Sequence, residues 1–479
     1  MEKLYKITLG AAPCALDIGD GSERGEYVNQ DYMLNVLGRP HRCVNLMYTY
    51  YPKDKEWDGK SKISQICKDM EIHYQWDYPY DDYFPYGGGI GGSTEGEPFV
   101  FMKDIRRHGQ DVSLTLTVDC SLEDEYLRQI ARELKPYGRM KLRINHECAG
   151  TWFTHNKRFS YAEVGAFFVR FARIVKEEAP QIQTIFCSGF MDTEKELDKY
   201  AEAFREAFKI ADMWSVDAYL ALNFGWPFSI AEKGGEGFSV GNAEVNFQRY
   251  KKTFQNLTEL CGEEKPMITA ELNADGDVTG AAAQAESLLR FYGRIKEEKA
   301  DWFKSVSFYQ FRDRGRLGLE TEDPNNSSVG IKQPVMEEYK KIIADDYFSP
   351  EIKTAGETQL PCKMRWGGAE DSEGLGIRLV FKKNPVFCEI TFEDRLCLML
   401  ELNGRWFYKS AKVKTVDLMT AFHERPLEGE TELCLKIFST PPEGINPDTG
   451  AKDWDINYYS VLTQMPELRI RYESVENVG

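Results

Sequence analysis

The stretch Met140–Phe153, "MKLRINHECAGTWF", starts as a strand and ends in a cluster of reactive residues. "MKLRINHE" has the short apolar-rich form of a strand, and its end sets His146 beside Glu147, with Gly150 and Trp152 close behind. Three readings fit such an end: a metal site, a catalytic carboxylate, or the polar terminus of a core strand. A zinc-protease helix needs two histidines four residues apart on one face. The residue four after His146 is Gly150, which excludes that reading.

Outward from this stretch, strand-like runs alternate with longer segments of helical periodicity as far as about residue 345. The runs are "LYKITLG" from Leu4, "RCVNLMY" from Arg42, "DVSLTLTVD" from Asp111, "MKLRINHE" from Met140, "IQTIFCSG" from Ile182, "MWSVDAY" from Met213, "KPMITAELN" from Lys265 and "KSVSFYQFR" from Lys304. Between them lie helical segments such as Ser160–Ala179, Thr193–Ala211 and Gly280–Ala300. Each has apolar residues at three-to-four spacing and a small or capping residue at its start. Strands alternating with helices are the pattern of a parallel sheet. Eight such units predict an α/β fold, a closed (β/α)8 TIM barrel with long loop insertions, over residues 1–347. From Phe348 the texture changes. "GLGIRLVFKK", "VFCEITFED", "LCLMLELNG" and "TELCLKIFST" are strand-like and divided by turn residues, with one short helix expected around Asp417–Phe422. A smaller all-β, sandwich-like accessory domain is predicted over residues 348–479.

Composition narrows the function. Across 479 residues, 42% are hydrophobic and 13% aromatic, which describes a packed protein and not a disordered one. A net charge of -17 works against binding a phosphate backbone, so no nucleic-acid partner is expected. No window approaches the ~18 uninterrupted apolar residues of a membrane span. "MEKLYKITLG" lacks a signal-peptide core, so with Met1 as the native start a cytoplasmic location is expected. Eleven cysteines without a CxxC pair read as free thiols in a reducing compartment, and Cys148 reads as a small buried hydrophobe. His41, His73, His108, His155 and His423 form no close cluster, so no metal and no cofactor are expected. A homo-oligomer is compatible with this composition.

Barrel enzymes keep their active sites at the carboxyl ends of the strands. Glu147 ends strand four, and Glu271, in "MITAELNADGD", ends strand seven. Paired carboxylates are the apparatus for cleaving a glycosidic bond: one protonates the leaving oxygen while the other attacks the anomeric carbon. Either glutamate alone reads equally well as a solvated or salt-bridged strand end; two on one rim point to a hydrolase. Arg143, His146, Glu147, Gly150, Trp152 and Phe153 also resemble the "R..HE..G.WF" signature of glycoside hydrolase family 26, the β-mannanases and related β-glycanases of clan A. The resemblance is local, about eleven residues at strand four with a weaker match at strand six. It implies Glu147 as general acid/base and Glu271 as nucleophile of a retaining mechanism. It further implies His146 as a sugar-binding neighbour, Trp152 as an aromatic wall, and Tyr219 in "WSVDAY" as the hydrogen-bond partner of the nucleophile. Asn145, beside His146, is a further substrate-binding candidate.

Such a pair needs an acid whose pKa is raised and a nucleophile kept ionised by donors. Trp152 and Phe153 can supply the first condition, Tyr219 and Arg143 the second, although an arginine inside a strand equally forms an ion pair beneath the mouth. Aromatic rings pack on the C–H faces of sugars. Trp76 in the Tyr- and Gly-rich loop His73–Pro98 and Trp226 in "ALNFGWPFS" are therefore either subsite walls or ordinary surface aromatics. Strand eight ends in "YQFRDRGRLGLE", where Gln310 is a substrate-binding candidate, and Arg312 and Arg314 either bind an acidic sugar or, as the favoured reading, pair with Asp313 and Glu320. The expected protein is a retaining glycoside hydrolase of β-linked oligosaccharides or glycosides. A non-catalytic carbohydrate-binding barrel and an inverting glycosidase are the alternatives.

Overall fold

Eight parallel strands close on themselves: Ala15–Gly19, Cys43–Tyr50, Asp111–Val118, Met140–Ile144, Ile182–Ser188, a sixth broken at Asp217 into Met213–Val216 and Ala218–Asn223, Met267–Ala274 and Phe303–Phe308. The last pairs with the first (Ser305↔Ala15 to Phe308↔Ile18), which completes the barrel. The computed structural model describes residues 3–21, 27–53, 84–223, 238–313, 315–366, 372–441 and 458–473. Helices wrap the barrel, and local chemistry sets their starts. Ser160 with Glu163, and Thr193 with Glu196, form reciprocal capping boxes that satisfy orphan N–H groups at the first turns of Tyr161–Glu178 and Glu194–Ile210. No helix among the described residues is long and apolar enough to cross a membrane, and the ten described cysteines are all free thiols.

Seven of the eight expected barrel strands are in place. The first is a correction: "LYKITLG" is not a barrel strand, and Ala15–Gly19, "ALDIG", takes its position. Leu4–Leu9 instead runs antiparallel between Ile352–Thr358 and Ser372–Phe381 in the accessory sheet. Strands covered on both faces are buried throughout, whereas antiparallel strands alternate. Ala15–Gly19 is buried at every position, while Leu4–Leu9 buries Ile7 and Leu9 and leaves Lys6 and Thr8 half exposed. The polar alternation of the first run belongs to an antiparallel sheet.

The accessory domain is a sandwich of an eight-stranded and a three-stranded antiparallel sheet. Leu375, Ile377 and Leu400 from the large sheet meet Cys388 and Ile390 from the small one, with Leu418 just past its Thr415–Asp417 strand. Its single described short helix, Thr420–Glu424, falls where one was expected. The domain docks under the barrel, on the loops that lead into the strands. Trp406 N–H donates to the Gly38 carbonyl (2.8 Å), Arg405 Nη2 donates to the Asn35 carbonyl (2.8 Å), and Leu34 packs among Ile7, Leu9, Trp366 and Trp406. The carboxyl ends of the strands, at the opposite face, are left to the barrel's own loops.

Period-two alternation along strand four builds the interior. Leu142 and Ile144 face the helices, whereas Lys141, Arg143 and Asn145 face inward and are at most 2% exposed. Lys141 Nζ is bound to Asp17 Oδ2 at 2.6 Å and to Ser305 Oγ at 3.1 Å, so the lower layer of this interior is a closed ion pair. Arg143 begins the layer above it.

Candidate active site

Arg143 is the centre of that upper layer. Its Nη2 donates to Glu271 Oε1 at 2.6 Å, its Nη1 to Asp217 Oδ2 at 2.7 Å and its Nε to Thr115 Oγ1 at 2.7 Å. Tyr219 Oη donates to the other Glu271 oxygen at 2.7 Å. Strands three, four, six and seven thus each send one or more side chains to a single point at the mouth. Burial pulls the Arg143 pKa down, but the adjacent charges of Asp217 and Glu271 outweigh it and hold the guanidinium firmly protonated.

Glu147 completes the cluster from the end of strand four. Its Oε2 accepts the Trp152 Nε1–H at 2.6 Å. One carboxylate oxygen from each of Glu147, Asp217 and Glu271 lies within 4.8 Å of the others. Three carboxyls share one guanidinium, so full ionisation of all three is electrostatically costly. Burial, with Asp217 and Glu271 adding their charges, raises the Glu147 pKa well above the ordinary carboxylate range; the Trp152 donor and Arg143 only partly oppose this. Burial likewise pushes Asp217 up to about 7, with Glu271 adding to it and Arg143 opposing. This is the one group of side chains among the described residues spaced to hold a metal ion. The Arg143 guanidinium already provides its positive charge, ion-paired to two of the three carboxylates.

The backbone around Glu147 is unusual. Asn145 (φ 47°) and Glu147 (φ 50°) both adopt the left-handed region, at a cost of about 1–3 kcal/mol for a non-glycine residue held there. Asn145 offsets part of this through its side chain. Its Oδ1 accepts the Val118 N–H (2.6 Å), and its Nδ2 donates to the Val118 carbonyl (3.0 Å) and contacts Cys120 Sγ (3.3 Å), which ties the end of strand four to strand three. The residue that turns the chain is thereby fixed, and Glu147 with it.

Of the residues singled out from sequence, Arg143, Glu147, Trp152, Tyr219 and Glu271 meet directly. Arg143 is both a donor to Glu271 and a buried ion-pair partner, so the two readings of it are one arrangement. His146 is 1% exposed and lies against the Phe153 ring, with centroids 4.3 Å apart. Burial, with the charge of Arg143 adding to it, keeps the His146 imidazole neutral. Gln310 bonds to Asp313 (3.2 Å) and lies outside the carboxylate cluster. Arg312 pairs with Glu320 (2.6 Å) as expected. Trp76, Trp226 and Arg314 lie outside the described residues. The described part of the Tyr- and Gly-rich loop packs on the barrel's outer wall. Tyr86 Oη donates to Glu133 (2.9 Å), and Gly89, at φ 85°, sits so close to the Tyr50 ring that a Cβ would lie 2.0 Å from Oη.

Sequence reasoning missed Asp217, Thr115, Met47 and Tyr309. Asp217 was visible as a carboxylate in the strand-six run "WSVDAY", at the point where that strand breaks. Met47 and Tyr309 carried no signal: they form an apolar wall with Phe153, Trp152 and Tyr219, joined by a Tyr309 Oη to Met47 Sδ contact of 3.0 Å.

No protein-family model matches this chain, and no curated protein matches its sequence. Solved structures do match it at low identity. A family 51 α-L-arabinofuranosidase from Bifidobacterium longum is 10% identical, with 90% of this chain and 99% of that chain covered and a TM-score of 0.44. A family 39 glycoside hydrolase from Bacteroides cellulosilyticus is 13% identical over 90% of this chain and 81% of that one, with a TM-score of 0.45. A family 26 endo-β-1,4-mannanase from Cellulomonas fimi is 11% identical over 89% of each chain, with a TM-score of 0.43.

Proposed function

We propose that this chain is a retaining glycoside hydrolase acting on β-linked oligosaccharides or glycosides, with Glu147 as general acid/base and Glu271 as nucleophile. The observation that carries the reading is the approach of the two carboxylates: one oxygen of Glu147 lies within 4.8 Å of one oxygen of Glu271. Retention places the two carboxyl groups about 5–5.5 Å apart, while inversion needs about 6.5–9.5 Å to admit a water between them. The environments support the same division of labour. Glu271 has a donor on each oxygen, from Arg143 and Tyr219, which fix its orientation for attack on the anomeric carbon. Glu147, with its raised pKa, holds a proton for the leaving oxygen. After departure of the leaving group, Glu147 as carboxylate takes a proton from the water that hydrolyses the glycosyl–Glu271 ester. The apolar wall of Met47, Phe153 and Tyr309 keeps the pair in low dielectric.

Hydrolysis of a panel of aryl β-glycosides and β-linked oligosaccharides by wild type, Glu147→Ala and Glu271→Ala, with azide added and the product anomer read by NMR, tests this. Azide is expected to give the β-azide with Glu147→Ala and the α-azide with Glu271→Ala. Wild-type turnover in either variant overturns the pairing, and inversion at the anomeric carbon by wild type overturns the mechanism.

A further inference from the structure

The junction of the two domains contains a feature unrelated to the carboxylates at the mouth. A cavity of about 40 Å³ lies beneath the barrel, walled by Arg39, His41 and Arg42 from the loop entering strand two and by Trp366, Trp406 and Leu9 from the accessory domain. At ~10–15 Å³ for each water site, it has room for about three waters or one tetrahedral oxyanion. No carboxylate among the described residues lines it, in a chain whose net charge is -17.

Arg39 is the group left unsettled. Its Nη1 donates to the Ile343 carbonyl and to Ser349 Oγ (2.6 Å), both neutral acceptors. Arg39 is half-buried, and cations withdrawn from water are ordinarily matched by an anion. Here burial, with Arg425 nearby, pushes the Arg39 pKa down to about 10, the direction expected of a guanidinium without one. His41 does not supply counter-charge: its Nε2 is engaged with Tyr339 Oη at 2.7 Å, and burial with the Arg39 charge lowers its pKa to about 3. The same wall also contains a buried donor with no acceptor among the described residues, the indole Nε1–H of Trp366.

We propose that this cavity binds a small tetrahedral oxyanion of the inorganic phosphate type, held by the Arg39 guanidinium and the Trp366 indole N–H between the barrel base and the accessory domain. Arginine suits the role because its planar fork matches two oxygens of such an anion at once. An anion bound only by the docked domains stabilises the folded chain through its binding free energy.

The test is calorimetric titration of the full chain with inorganic phosphate, paired with Tm measured in phosphate and in sodium chloride of equal ionic strength. Wild type is expected to bind one phosphate and to show a Tm increase of a few degrees beyond that in chloride. Arg39→Gln is expected to weaken binding at least tenfold and abolish the phosphate-specific shift. Arg39→Lys, which keeps the charge but not the fork, and Trp366→Phe, which removes the donor but keeps the ring, should each fall between the two and decide the matter if Arg39→Gln fails to fold. A Tm that follows ionic strength regardless of the anion, or phosphate binding in Arg39→Gln or Trp366→Phe equal to wild type, overturns the proposal.

Discussion

Two layers of charge lie one above the other inside the barrel, both reached from strand four. The lower has one cation, Lys141, on one anion, Asp17, with Ser305 completing the ammonium's hydrogen bonds. The upper has one cation, Arg143, among three carboxyls. The lower layer is balanced: burial raises and Lys141 lowers the Asp17 pKa, and the lowering wins. In the upper layer burial wins at Glu147 and Asp217. Carboxyls in the two layers, which strand four reaches with Lys141 and Arg143, therefore hold opposite protonation tendencies, because the ratio of cations to carboxyls differs. A matched pair fixes structure; an undersupplied cluster retains a proton that can be transferred.

The contrast can be broken most severely at the upper layer. Glu147→Gln keeps the shape but cannot exchange the proton, and is expected to lower turnover about 10²–10⁴-fold for substrates with poor leaving groups, with little change in Tm. Steady-state kinetics and thermal melts together check this. The reverse pattern is expected below. Lys141→Ala leaves Asp17 buried and unpaired and should cost about 3–5 kcal/mol in chemical denaturation, whereas Lys141 contributes no atom to the carboxylate cluster.

Asp217→Asn sharpens the comparison through pH. With its pKa raised from 3.8 to about 7, Asp217 keeps a proton in the folded state that the unfolded chain releases. Through this group stability falls as pH rises from about 4 to 7, by up to about 1.4 kcal/mol per pH unit. The asparagine variant should lose that slope in urea titrations at stepped pH. It should also move the basic limb of kcat/KM to lower pH, since one negative charge beside Glu147 is gone. Trp152→Phe is expected to have the smallest effect and the opposite sign. Losing the 2.6 Å donor to Glu147 should shift the basic limb upward by about one pH unit. Limbs that move together in the two variants would show that the proton is not on Glu147.

Much of this arrangement was legible in the residues themselves. Period and capping fix seven barrel strands and their helices because those are local: Ser160 with Glu163, or Thr193 with Glu196, act across one helical turn. Strand ends follow from the same periodicity, and a carboxylate at the carboxyl end of a parallel strand has only the mouth to face. That is why Glu147 and Glu271 could be placed at the mouth from sequence, and why Asp217, overlooked in "WSVDAY", was in principle equally visible. Tertiary structure alone decided which sheet the run at Leu4 would join, because antiparallel pairing with Ser372–Phe381 spans most of the chain. It alone placed one arginine among three carboxyls from three different strands, and set Met47 beside Tyr309 at 3.0 Å across 262 residues of sequence. Sequence patterns record which face a residue turns; charge balance and dielectric depend on what the closed barrel brings to the other side.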